Sequence, residues 1–87
     1  MSSTAETYDV GVPRLTRSTP VRLAPAAPAL WRVLDKTGKV IGHLQAVSQR
    51  GGVRYRARRF HPASRAFREL GEFWTADDAV ECLRFAS

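Results

Sequence analysis

A chain of 87 residues has room for one domain, and a chain this short buries only about 60% of its unfolded surface. A small core is therefore expected and a deep substrate cleft is not. The net charge of +6 points toward polyanionic partners, and the single cysteine, Cys82, excludes both an internal disulfide and a zinc site built on cysteines.

Residues 1–29 hold four of the five prolines together with many Ser, Thr and Ala, and show no sustained hydrophobic period. Such a segment buries too little apolar surface to offset its ordering entropy, so it reads as a disordered tail. Arg14, Arg17 and Arg22 make its second half a basic arm. The first twelve residues lack the basic start and apolar block of a secretory leader. No apolar run approaches the ~18 residues of a membrane span. A cytoplasmic protein is expected.

The pattern changes at Leu30, where the domain, residues 30–87, is expected to begin. Leu30–Asp35 is rich in aromatic and β-branched residues and reads as a strand. Lys36-Thr37-Gly38-Lys39 reads as a hairpin loop with glycine where positive φ is tolerated. Val40–Val47 is a second strand, Gln49-Arg50-Gly51-Gly52 a second turn, and Val53–Phe60 a third strand. Pro62 interrupts it, because proline lacks the donor a ladder needs. Arg65–Phe73 reads as a fourth strand with Gly71 as a bulge or close-packing point. Thr75-Ala76-Asp77-Asp78 is a helix start in which the Thr75 hydroxyl accepts from the Asp78 amide. Ala76, Ala79, Val80 and Leu83 follow at i, i+3, i+4 and i+7, predicting a helix over Ala76–Phe85. The fold class is α+β: a small antiparallel sheet of three to four strands packed on one C-terminal helix.

Period-two alternation separates Val53, Tyr55 and Ala57 from Arg54, Arg56 and Arg58. The helix has an apolar face to bury, so the first set is expected beneath it and the arginines on the open face. In the second strand Ile41, His43, Gln45 and Val47 share the open face by the same parity. The arginine triplet with His43 and Gln45 makes a compact cationic platform, with Arg32 and Arg50 as further candidate contacts. Planar guanidinium groups suit both phosphates and base edges. Half of the basic residues fall between Arg50 and Arg68, and most of the acids follow.

Gly52-Val53-Arg54-Tyr55-Arg56-Ala57-Arg58 followed by Leu70-Gly71-Glu72-Phe73-Trp74-Thr75-Ala76-Asp77-Asp78-Ala79 resembles the AP2-type DNA-binding domain and the arm-type DNA-binding domains of phage integrases. The likeness covers roughly residues 40–86. It implies a three-stranded sheet on one helix, with the open face in a DNA major groove and Arg54, Arg56 and Arg58 toward the DNA. At the last strand this chain departs from the AP2 pattern. Glu69 stands where that pattern has a groove-facing Trp, and Phe67 where it has an outward Arg.

Nothing in the chain points to catalysis. His43 and His61 have no acid or cysteine at metal-ligand spacing, and Asp77 and Asp78 are explained as helix caps. Cys82 reads as a small core hydrophobe. Trp31 and Trp74 are expected in core or sheet-edge packing, although either ring can stack on a base. The expectation is therefore a non-enzymatic module that needs no cofactor, metal or small-molecule substrate and binds nucleic acid, duplex DNA first. The alternative is a protein-interaction module, an adaptor or inhibitor that takes an acidic partner or pairs through a sheet edge. A last strand with Phe67 and Glu69 turned outward favours the protein partner, and one with them turned away favours DNA.

Overall fold

The computed structural model describes residues 12–61 and 63–85. Five strands, β1 (Val21–Ala27), β2 (Leu30–Asp35), β3 (Val40–Gln49), β4 (Gly52–His61) and β5 (Ala66–Phe73), precede the helix α1 (Ala76–Phe85). The strands form one antiparallel meander in sequence order. The α+β class with an antiparallel sheet and one C-terminal helix is as expected, and β2 and α1 carry the expected bounds.

The strand count is higher than the three to four expected. Residues 21–29, placed in the tail from sequence, contribute β1 and the turn into β2, and residues 12–20 precede them in the structure. Residues 1–11 of the expected disordered tail lie outside the described residues. Two features hid β1. Pro25 lies inside the strand, opposite Trp31, which an edge strand tolerates because one side of it needs no ladder donor. The β1–β2 turn places Ala29 at φ 62°, where glycine or asparagine would have been the legible signal.

The core lies between the sheet and α1. Val33, Leu44 and Ala57 meet Ala76, Ala79, Val80 and Leu83, all fully or almost fully buried, with Leu23, Tyr55, Leu70, Phe73 and Cys82 packed around them. The expected helix stripe is thus the buried face. Gly42 permits the closest approach, since a Cβ there would stand 2.5 Å from Leu83 Cδ2 and 2.7 Å from the Arg58 carbonyl oxygen. Thr75 caps the helix by accepting from the Asp78 amide at 3.1 Å. At the other end, Arg59 donates to the Leu83 carbonyl at 2.7 Å, satisfying a last-turn acceptor that has no partner within the helix.

Three irregularities interrupt the ladder, one in β1 at Ala26 and two that change side-chain parity nearer the centre of the sheet. Between β2 and β3 the register slips so that Gly42 faces Val33 while Val40 faces Leu34. Ile41, expected on the open face, instead packs against the core, and Val40 is exposed. Between β4 and β5 the register slips at Leu70, beside the Gly71 expected to mark a bulge.

Candidate nucleic-acid interface

Register places the open face in rows running across the sheet. One row is Arg32, His43, Arg58 and Glu69; the next is Leu30, Gln45, Arg56 and Glu72; the third pairs Val47 with Arg54. The expected group of Arg32, His43, Gln45, Arg54, Arg56 and Arg58 is therefore brought together on one face. Arg50 is not part of it, because it sits exposed in the β3–β4 turn. Arg22 joins the face from β1, opposite Leu34. Arg17 turns elsewhere and pairs with Asp78 at 3.2 Å and Glu81 at 2.8 Å on the helix. The basic arm expected from Arg14, Arg17 and Arg22 is thereby divided.

No acid lies between Arg50 and Arg68 in the chain, and the fold brings acidic partners to the arginine triplet from β5. Arg56 donates to Glu72 at 2.6 Å, Arg54 approaches the same carboxylate at 3.9 Å, and Arg58 lies 3.3 Å from Glu69. The Arg56 hydrogen bond holds the Glu72 carboxyl below its ordinary range. Glu72 reaches this face only because the Leu70 bulge shifts the parity of β5, and Gly71 was its one sign in the sequence. Pairs this open to solvent contribute little to stability. Arg22, Arg32, Arg54, Arg56 and Arg58 outnumber Glu69 and Glu72, so the face stays cationic.

Three polar atoms on the face, His43 Nδ1, Gln45 Oε1 and Arg54 Nε, are enclosed with no hydrogen-bond partner among the described residues. Partial burial, with the Arg32 and Arg58 charges on either side, holds the His43 imidazole below the usual histidine value.

Aromatic rings bracket the rows. At one end the Arg54 guanidinium lies 3.6 Å over the Trp74 ring. Trp74, expected in packing, is 59% exposed, whereas Trp31 is in the core. At the other end Phe67 packs edge-on with His43 at 4.8 Å and with Phe60 at 5.4 Å between ring centroids. Both phenylalanines are about half exposed. Val40, His43, Phe60 and Phe67 line a shallow hollow there. Phe67 and Glu69 thus both point outward.

Comparison with protein-family models, with curated proteins and with solved structures finds no match to this chain. The AP2 and integrase-arm likeness rests on the quoted residues alone, and the departures at Phe67 and Glu69 fall on the face that would carry it. Among the described residues no helix is long and apolar enough to cross a membrane, and no group of histidine, cysteine or acidic side chains is disposed to hold a metal ion.

Proposed function

We propose that this protein is a small nucleic-acid-binding module whose contact surface is the open face of its sheet. The observation that carries the reading is the in-register set Arg32, His43, Gln45, Arg54, Arg56 and Arg58, flanked by Glu69 and Glu72. A rail for phosphates needs donors only. A face that mixes guanidinium, amide, imidazole and carboxylate matches base edges, which present both acceptors and donors. Arginine suits guanine, glutamine suits adenine, and a carboxylate accepts from the cytosine amino group. The cationic surplus provides the non-specific attraction that precedes such contacts.

A protein partner is the second reading, and the outward Phe67 and Glu69 favour it. Half-exposed Phe60 and Phe67 beside an ion-paired strand also resemble the aromatic centre of a protein interface. Salt titration of the full chain against mixed-sequence DNA and RNA separates the two. Nucleic-acid binding is expected to weaken linearly in log K against log salt. Arg54, Arg56 and Arg58 changed together to Gln should lose far more affinity than Arg14, Lys36 and Arg65 changed together, which removes equal charge away from the face. Equal losses would reduce the attraction to net charge alone. Absence of binding at low salt would leave the protein partner.

A further inference from the structure

We infer that the open face takes a single strand, with unpaired bases stacked on Phe60, Phe67 and Trp74 and their edges read by the rows between. This deepens the nucleic-acid reading and rests on it. Width is the first ground. Five strands about 4.8 Å apart span roughly 19 Å, whereas a B-form major groove is about 12 Å wide. A duplex therefore meets only part of the face, and β1 and β2, with Arg22 and Arg32, stand outside the groove. A single strand has no groove wall to clear and lies across the whole sheet.

The rings are the second ground. Phe60, Phe67 and Trp74 are 45%, 49% and 59% exposed. A duplex offers them only base edges and the thymine methyl, whereas an unpaired base offers a π-face to each. Arg54, already stacked on Trp74, extends that platform with a cation at stacking distance. Along β4, Arg54 and Phe60 are six residues apart, roughly 20 Å at strand rise. Two stacking ends at that separation leave room between them for further nucleotides over Arg56, Arg58, His43 and Gln45.

Charge is the third. Glu69 and Glu72 repel a closely held phosphate, yet they accept from base amino groups, which an unpaired base offers with both hydrogens and a duplex only through the one that faces the major groove. The same two side chains that depart from the duplex-reading pattern thus suit a single strand.

Fluorescence anisotropy with labelled oligonucleotides of about 10 nucleotides, DNA and RNA, single-stranded and as the matching duplex, tests this on the full chain. The single strand is expected to bind at least about tenfold tighter than its duplex. It should also quench the emission of the exposed Trp74, a signal that Trp74→Phe removes. Phe60→Leu and Phe67→Leu keep apolar bulk and should each weaken single-strand binding roughly tenfold, with duplex binding and thermal unfolding little changed. Equal or tighter binding of the duplex, or a single-strand preference untouched by all three ring variants, would overturn the inference while leaving a nucleic-acid module. Absence of any binding at low salt would overturn both.

Discussion

At the residue scale, the fold turns a run of like charges into a graded one. Arg56 holds Glu72 at 2.6 Å, while Arg32 has no ion pair among the described residues. A paired arginine is partly neutralised by its own carboxylate and displaces fewer of the counterions condensed on the nucleic acid, so the two should contribute differently to binding. Arg32→Ala should make the slope of log K against log salt shallower by about 0.7–0.9, and Arg56→Ala by clearly less. Glu72→Gln should instead steepen the slope, because it frees Arg54 and Arg56 together, while weakening binding at high salt, where loss of the carboxylate that accepts from base amino groups outweighs the added cations. A salt series on the three variants checks the order, and tighter binding of Glu72→Gln at every salt concentration would mean that the carboxylate makes no contact with the ligand. His43 supplies a stability effect of a different kind. Burial and the neighbouring Arg32 and Arg58 lower its folded value, so the unfolded chain binds its proton more readily. Stability is then full above about pH 6.5, declines as pH falls through that value, and levels off once pH is below the folded value. Asp77 and Glu72, both held low in the fold, keep their contribution until pH falls through the carboxylate range. Acidification should therefore lower the denaturation midpoint in two stages, and His43→Gln should abolish the first. Denaturant melts across pH measure both.

At the element scale, the legible parts were those where local chemistry and packing agree. The Thr75 cap and the stripe through Leu83 sit in one short segment, so α1 could be read to the residue. Tyr55 and Ala57 alternate with arginine, so β4 declared its two faces before any partner strand was known. The bulges were not legible in this way. Ile41 and Val40 exchange sides through a register slip set by β2, and a strand read alone carries no trace of it. Glu72 came to the arginine face by the same kind of shift, which is why the sequence left the triplet without acids. Contacts distant in sequence escaped altogether. Asp77 reads locally as a residue of the first helical turn, and it is one, but its carboxylate also accepts from the Thr16 hydroxyl at 2.7 Å and from the Thr16 and Arg17 amides at 3.1 Å each. It therefore fastens the segment before β1 to the start of α1. Asp77→Ala removes the acceptor for those donors and a carboxylate from the positive end of the helix dipole. A loss of about 1–3 kcal/mol is expected, read by chemical denaturation. Asp77→Asn should recover part of it, and full recovery would show that the charge contributes nothing.

At the scale of the whole molecule, the question is where the folding unit begins. The sequence placed that point at Leu30, with everything earlier as tail, whereas the sheet counts β1 as a member and the core takes in Leu15, Val21 and Leu23 beside Val33 and Leu83. In a domain this small no part of the apolar interface is spare. A chain lacking residues 1–28 would lose those side chains, the Asp77 fastening and the ladder that covers one edge of β2. The uncovered strand, Leu30–Asp35, carries Trp31 and Val33 on one face and a row of unpaired backbone groups along its edge, a template for pairing with another copy. The shortened chain is therefore expected to unfold at clearly lower denaturant, with a smaller dependence on denaturant because less surface is exposed on unfolding. At high concentration it should self-associate, as sedimentation would show. It also lacks Arg22, so binding to nucleic acid under conditions where it stays folded should fall by no more than one phosphate contact is worth. An unchanged midpoint and a monomer at all concentrations would instead mean that β2–β5 and α1 fold as a complete unit and that β1 merely lies along it.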